Sequence, residues 1–355
     1  MTRTKIHDLL DQMESEGLSS NEMYDQLSDA HEVHLSAECI DYFQCHKDNL
    51  HERIVQIYYF MHYMEDSHNL PYAIDRGIHI RDSALNNAIL HWEGWLHDFS
   101  PGISYSPYIQ QFYQTSLAFP EPIDSKAFPL TGESEPERAM VVNRYVTTLK
   151  EAMQSQAFKE KIRKRDGHFR RQFVSACQYV EGLFHHYRRM VVLRIDFFLD
   201  PKCWYDLDDS LRHLLDHFSE LRCEMKGRIG VFEHMVGYIA RVEFSVRKRH
   251  HIHAVLFFNG DRVRSPSNLS RLIAERWQHI TRGVGLYFNT HAKFNRYACP
   301  AIGMVYRDDR EKRQCLTYVL WYITKQDQFL PYKLEEKQRL FFRGELTGEL
   351  QNKFA

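Results

Sequence analysis

The chain has 355 residues, 43% of them hydrophobic, with a formal net charge of -1. That apolar content excludes a disordered chain, and the length suggests about two domains. The near-zero charge hides a split. Residues 1–154 hold roughly 10 Lys/Arg against about 24 Asp/Glu, whereas residues 155–330 hold roughly 31 against about 19. The asymmetry predicts an acidic half and a basic half facing a polyanion.

In chain order, Ile6, Leu9, Leu10 and Met13 predict a helix over residues 4–17. Residues 20–66 read as one or two longer helices, the second carrying Ile54, Ile57, Tyr58, Met61 and Met64 at helical spacing. His31, His34, His46, His51, His62 and His68 lie scattered over charged helices with no matching carboxylate or thiolate spacing, so they read as structural. Residues 83–98 predict a helix capped by Ser83. Residues 1–98 thus form an acidic helical N-terminal domain. Residues 99–136 hold Pro101, Pro107, Pro120, Pro122, Pro129 and Pro136, which predicts a Pro-rich linker or arm. Its Tyr105, Tyr108, Phe112, Tyr113, Phe119 and Phe128 argue that it packs on a neighbour. Residues 137–186 form a basic helical connector. Its densest run, Lys159 to Arg171, is either a solvated face or a phosphate contact.

From Met190 the pattern is strand-like, stopping at Asp200-Pro201. A helix follows over 206–226. Residues 236–246 and 251–258 read as a hairpin, Ser267 caps a helix over 268–281, residues 302–306 form a short strand, and a final helix spans 310–326. The order β-α-β-β-α-β-α predicts an α+β fold, a split βαβ antiparallel sheet with helices on one face. This domain covers 187–330, and 331–355 is a C-terminal tail. The seven cysteines include no C-x-x-C pair, the N-terminus is polar, and no apolar run is long enough to span a membrane. Reduced thiols and a cytoplasmic location are expected.

The hairpin carries the chemistry. Alternation puts His251 and His253 on one face and turns Ile252 into the core. With the turn centred near Arg247, Glu243 pairs opposite His251 on that same face. Two imidazoles and a carboxylate suit a divalent cation with open positions. Asp196, on the first strand, is the alternative third ligand. Arg247, Lys248 and Arg249 make a cationic turn beside this group, and His250 faces away from His251, in a phosphate-binding or ligand-supporting role. On the final helix, Tyr318, Tyr322 and Lys325 share one face, while Trp321 packs elsewhere.

His-hydrophobic-His on a strand, followed by Tyr-x-x-x-Tyr-x-x-Lys on a helix, resembles the HUH endonucleases of rolling-circle replication, the two-tyrosine phage initiators above all. The chain also resembles the YagK/YfjJ C-terminal domain proteins of filamentous (inovirus-type) phage and prophage. The resemblance covers about residues 185–330. It implies a HUH/RRM-like fold and a metal-dependent DNA endonuclease and strand transferase, acting in replication of a phage, prophage or plasmid-like element. Tyr318 and Tyr322 are then the nucleophiles, one forming a 5′-phosphotyrosine and the other allowing a second cleavage. Lys325 holds an attacking or leaving oxygen, or lowers the phenol pKa. His251, His253 and Glu243 hold Mg²⁺ or Mn²⁺. Arg247, Lys248, Arg249, His250, Arg241 and Arg194 contact DNA, with pairing to acids as the alternative for Arg194 and Arg241. Implied partners are single-stranded origin DNA and a host helicase or replisome protein, with no membrane, in a bacterial host cytoplasm. Two rival expectations are a relaxase or single-strand transposase, and a non-catalytic RRM-like module with exposed sheet aromatics.

Overall fold

The computed structural model describes residues 12–13, 16, 18–19, 22–23, 50–75, 77–97, 99, 104–121, 123, 136–203, 207–245, 248–289, 301–325 and 339–346. The helix expected over 4–17, the first of those expected over 20–66, and His31, His34 and His46 lie largely or wholly outside these residues, as does most of the tail. The described residues fall into two compact units, divided within one helix at His168.

The first unit contains α1 (Leu50–Asp66), a hairpin of β1 (Tyr72–Asp75) and β2 (Gly77–Ile80), α2 (Ser83–Ile89), α3 (Trp92–His97), α4 (Pro107–Ala118), α5 (Pro136–Gln154) and the start of α6 (Gln156–His186). Ile57, Phe60, Trp95, Phe112, Tyr113 and Tyr145 are buried in its core. The stretch expected as an irregular arm holds α4, because Pro107 occupies the first helical turn, where a missing N–H costs nothing. The cap of α2 is Asp82 rather than Ser83: its carboxylate accepts from Leu85 N at 3.0 Å and from Tyr63 Oη at 3.0 Å. His62 is half-buried and packs with tilted rings against Tyr58 and Tyr108, centroids 4.3 and 4.0 Å away. Burial, with help from Arg165, pushes its pKa down to about 3.

The second unit is built on a six-stranded antiparallel sheet. Its elements are β3 (Arg189–Leu199), α7 (Leu207–Gly227), β4 (Met235–Ser245), β5 (Arg249–Asn259), α8 (Pro266–Ile280), β6 (Gly285–Asn289), β7 (Gly303–Tyr306), α9 (Arg310–Thr324) and β8 (Phe341–Arg343). The strand order is β6-β3-β5-β4-β8, and β7 shares an edge of β3 with β6: β6 pairs with residues 195–199 and β7 with 189–192. Two of these strands, β6 and β8, were not expected from the sequence. Helix α8 starts at Pro266, with Ser265 rather than Ser267 at the cap position.

Helices cover both faces of the sheet, not one. Alternation sends Val192 and Phe197 of β3 to opposite sides. Val192, Ile239, Val255 and Phe257 pack in one cluster with Phe173 and Leu183 of α6 and Leu316 and Leu320 of α9. On the other side Phe197 meets Trp277 of α8 at 5.2 Å, and Phe342 of β8 meets Phe218 of α7 at 5.6 Å. The reason is that α6 and α9 carry apolar stripes of their own, which must also be buried. The fold class is therefore α+β, with an antiparallel sheet between two helical layers in this unit.

Cys315 on α9 is disulfide-bonded, whereas Cys177, Cys203 and Cys223 are free thiols, so the expectation of uniformly reduced cysteines does not hold. Among the described residues no helix is long and apolar enough to cross a membrane. The seam between α6 and the sheet tolerates no added side chain at one point. Gly237 sits at an irregularity in the β4–β5 register, and a Cβ there would collide with Tyr179 Oη and come 2.8 Å from Leu183 Cδ1. Gly237→Ala should destabilise the protein by about 1–3 kcal/mol, read as a lowered thermal midpoint; an unchanged midpoint would show that the seam yields freely.

Candidate metal centre and adjoining tyrosines

The hairpin register fixes two rows of side chains across four strands. Glu243 pairs with His251 and Arg241 with His253. On the other side of β5, Phe198 pairs with His251 and Asp196 with His253, and β6 continues these pairs with Leu286 and Phe288. Directly paired residues share a face, so one row reads Leu286, Phe198, His251, Glu243 and the next Phe288, Asp196, His253, Arg241. This is the face that α6 and α9 cover further along.

Glu243, His251 and His253 each offer a ligand atom within 4.8 Å of the others. The ε-nitrogens of the two histidines are 3.1 Å apart, and His253 Nε2 is 3.2 Å from Glu243 Oε2. The δ-nitrogens are both engaged elsewhere. His251 Nδ1 lies 3.0 Å from the Arg249 carbonyl, and His253 Nδ1 lies 2.6 Å from Asp196 Oδ1. A carbonyl only accepts, so His251 Nδ1 carries the proton and leaves a lone pair on Nε2. Imidazoles whose δ-nitrogens donate to oxygen, with ε-nitrogens and a carboxylate converging, have the form of a divalent-cation site.

The electrostatics fit as well. Burial alone would lower the pKa of His253, but Asp196 and Glu243 outweigh it and raise it to about 9. Burial would raise Glu243, yet His253, Arg241 and His251 hold it down at about 2. Asp196 is likewise held below the usual carboxylate range, against burial, by His253, Arg194 and Lys248. Burial and the neighbouring His253 lower His251 to about 4. Two ionised carboxylates thus face a protonated His253, whose proton a cation can replace.

Asp196, the alternative ligand from sequence, lies outside the converging trio and orients His253 instead. Asp196→Asn should weaken metal affinity about 10–100-fold without abolishing binding. Calorimetric titration with Mn²⁺ checks this, and complete loss of binding would make Asp196 a ligand.

Tyr322 stands beside this cluster, its ring centroid 6.2 Å from that of His253. Arg194 Cζ lies 4.9 Å from the Tyr322 centroid and Lys325 Nζ 4.4 Å, which puts two positive charges against one phenol. Tyr318, one turn earlier, pairs with Trp321 at 5.6 Å. Burial raises its pKa, with Arg194 opposing. Trp321 is buried in the core.

The remaining residues expected to contact DNA divide. Arg241 is buried, and its Nη1 donates to Gln172 Oε1 of α6 at 3.1 Å and to the Thr324 carbonyl of α9 at 3.3 Å. It fixes the end of the tyrosine helix and offers no surface to a phosphate. His250 is also buried, on the opposite face, against Phe244 at 5.0 Å, and burial lowers its pKa to about 3, so it stays neutral and inside. Arg194 is buried but faces Tyr322. Lys248 pairs with Asp196 at 3.0 Å, Arg249 supplies the carbonyl for His251, and Arg247 lies outside the described residues. The orienting role of Asp196 and the aromatic pair Phe198 and Phe288 escaped the sequence reading. The period-2 pattern of β3 held the only signal for the first two.

A family model described as the YagK/YfjJ C-terminal domain matches residues 152–342, more than half of the chain. The chain belongs to the YagK/YfjJ C-terminal domain family. No curated protein and no solved structure matches it.

Proposed function

We propose that the chain is an HUH-type endonuclease and strand transferase that nicks single-stranded origin DNA and starts rolling-circle replication of a phage, prophage or plasmid-like element. The observation that carries this reading is the placement of Tyr322 beside the His251, His253 and Glu243 cluster. The connectivity β3-α7-β4-β5-α8-β6 with order β6-β3-β5-β4 supports the finer, split-βαβ form of the fold.

In the reaction, Tyr322 Oη attacks phosphorus and its proton passes to solvent. The Oη–P bond forms as the P–O3′ bond breaks, and the 3′-oxygen takes up a proton. The phosphotyrosine keeps the energy of the phosphodiester, so a 3′-hydroxyl can reverse the step and rejoin a strand. Glu243, His251 and His253 would hold a Mg²⁺ or Mn²⁺ ion, which would supply charge stabilisation for the phosphoryl group. Arg194 and Lys325 set two positive charges against the Tyr322 ring, Asp196 holds the His253 ring, and Arg241 holds the end of α9. Tyr318 is the second nucleophile; burial disfavours its ionisation, with Arg194 opposing.

The test is incubation of the full chain with a 3′-end-labelled single-stranded DNA library and Mn²⁺ or Mg²⁺. Label that stays with the protein through denaturation is expected. A relaxase or single-strand transposase would give the same adduct, and the origin sequences recovered from it distinguish the two. The half-exposed Phe198 and Phe288 suit the other rival, a module that binds nucleic acid without cutting it; DNA binding with no adduct in either metal would establish that instead.

A further inference from the structure

The two rows that carry the metal cluster continue past it to the β6 edge of the sheet, where their side chains become apolar. Phe198 neighbours His251 on the next strand, about 4.8 Å away in the pairing direction. Phe288 neighbours Asp196 in the same way, and Leu286 neighbours Phe198. Phe198 and Phe288 are half-buried, and Leu286 is 37% exposed. Lys248 joins the two regions: its Nζ is 3.0 Å from Asp196 Oδ2 and 5.4 Å from the centroid of each phenyl ring.

We propose that Phe198, Phe288 and Leu286 form a shelf that takes a base of single-stranded DNA beside the metal cluster, with Lys248 facing the adjoining phosphate. The inference rests on the endonuclease reading above and adds to it a subsite that positions the strand. The chemistry selects the occupant. Two ring faces at a sheet edge match the flat face of any base, and stacking of this kind tolerates sequence. The Lys248 ammonium, which lies over both rings and swings aside as a base stacks, matches the charge that every nucleotide carries. A duplex hides its base faces, so the shelf selects an unpaired strand. Because the shelf and the cluster share their rows, a base held on it leaves its own phosphate next to His251 and His253.

The test compares two probes in EDTA: a fluorescent oligo(dT) of about twelve nucleotides and an abasic oligomer of the same length and charge. Wild type should bind oligo(dT) about tenfold or more tightly than the abasic strand. Phe288→Leu and Phe198→Leu, which keep apolar bulk but remove the ring, should each lose most of that preference while still binding the abasic strand normally. Leu286→Trp, at a position exposed enough to accept it, should increase the preference; this gain guards against variants that merely misfold. Equal binding of both probes by wild type, or an unchanged preference in both leucine variants, overturns the shelf. Adduct formation, assayed separately with metal, tells the two readings apart. An adduct without a base preference leaves the endonuclease standing and removes the shelf. A base preference lost in the leucine variants, with no adduct under any condition, keeps the shelf and removes the endonuclease.

Discussion

If Tyr322 is the nucleophile proposed above, Tyr322→Phe is expected to lower the rate of covalent adduct formation about 10³-fold or more, because it deletes the attacking oxygen and leaves the ring in place. Tyr318→Phe should leave the first cleavage within about tenfold of wild type. Both tyrosines share a helical face, so sequence spacing alone treats them as equivalent. The structure separates them. Tyr322 has His253 on one side and two cations over its ring, while Tyr318 has Trp321 and a burial-raised pKa. Strand joining, which needs both phenols, should fail in either variant. The measurement is the rate at which labelled single-stranded DNA becomes resistant to separation from the protein on a denaturing gel. An adduct that survives in Tyr322→Phe and vanishes in Tyr318→Phe reverses the assignment.

The second large effect is on the metal. His253→Ala should abolish Mn²⁺ binding and reduce cleavage to the level seen in EDTA, about 10³-fold or more below wild type. His253 is the centre of the group, with Nε2 within 3.2 Å of both other ligands and Nδ1 on Asp196. Two imidazole ligands favour Mn²⁺ over Mg²⁺ in affinity. The raised pKa sets the pH dependence. Without metal, His253 holds a proton up to about pH 9, against an ordinary value of 6.5. A cation must displace that proton, so apparent affinity should climb about tenfold per pH unit below 9 and level off above it, with about one proton released per ion at pH 7. For the metal-free fold the sign is opposite. The proton on His253 stabilises the fold fully below pH 6.5, and this stabilisation is lost as pH rises through 9. Titrations in buffers of different ionisation enthalpy read the proton count, and a pH-independent affinity would remove His253 from the site.

The cluster was legible in the sequence because a hairpin has only two faces. A basic turn near Arg247 fixes which residues meet, and alternation does the rest, so Glu243 could be set opposite His251. The rows beyond were not legible. Strands β6 and β8 are five and three residues long, and pairing with β3 and β4 defines them more than their own propensity does. Without β6, Phe288 has no place beside Asp196. For Arg241 the sequence left DNA contact and pairing with an acid open, because charge is visible in a sequence and burial is not; the structure gives the second, with Glu243 at 3.8 Å. Pro107 looked like a breaker because a proline's position within a helix depends on where the helix starts.

The two rows across the sheet also determine when in the life of the chain this chemistry can begin. Asp196 comes from β3, Glu243 from β4, the histidines from β5 and Tyr322 from α9, well over a hundred residues after Asp196. Each strand is held in register by its neighbours, and Arg241 secures the end of the tyrosine helix only after that helix exists. On the proposed reading, a chain still emerging from the ribosome holds its metal ligands before it holds its nucleophile. On that same reading, a chain that has not yet made α9 holds a cation but does not cut.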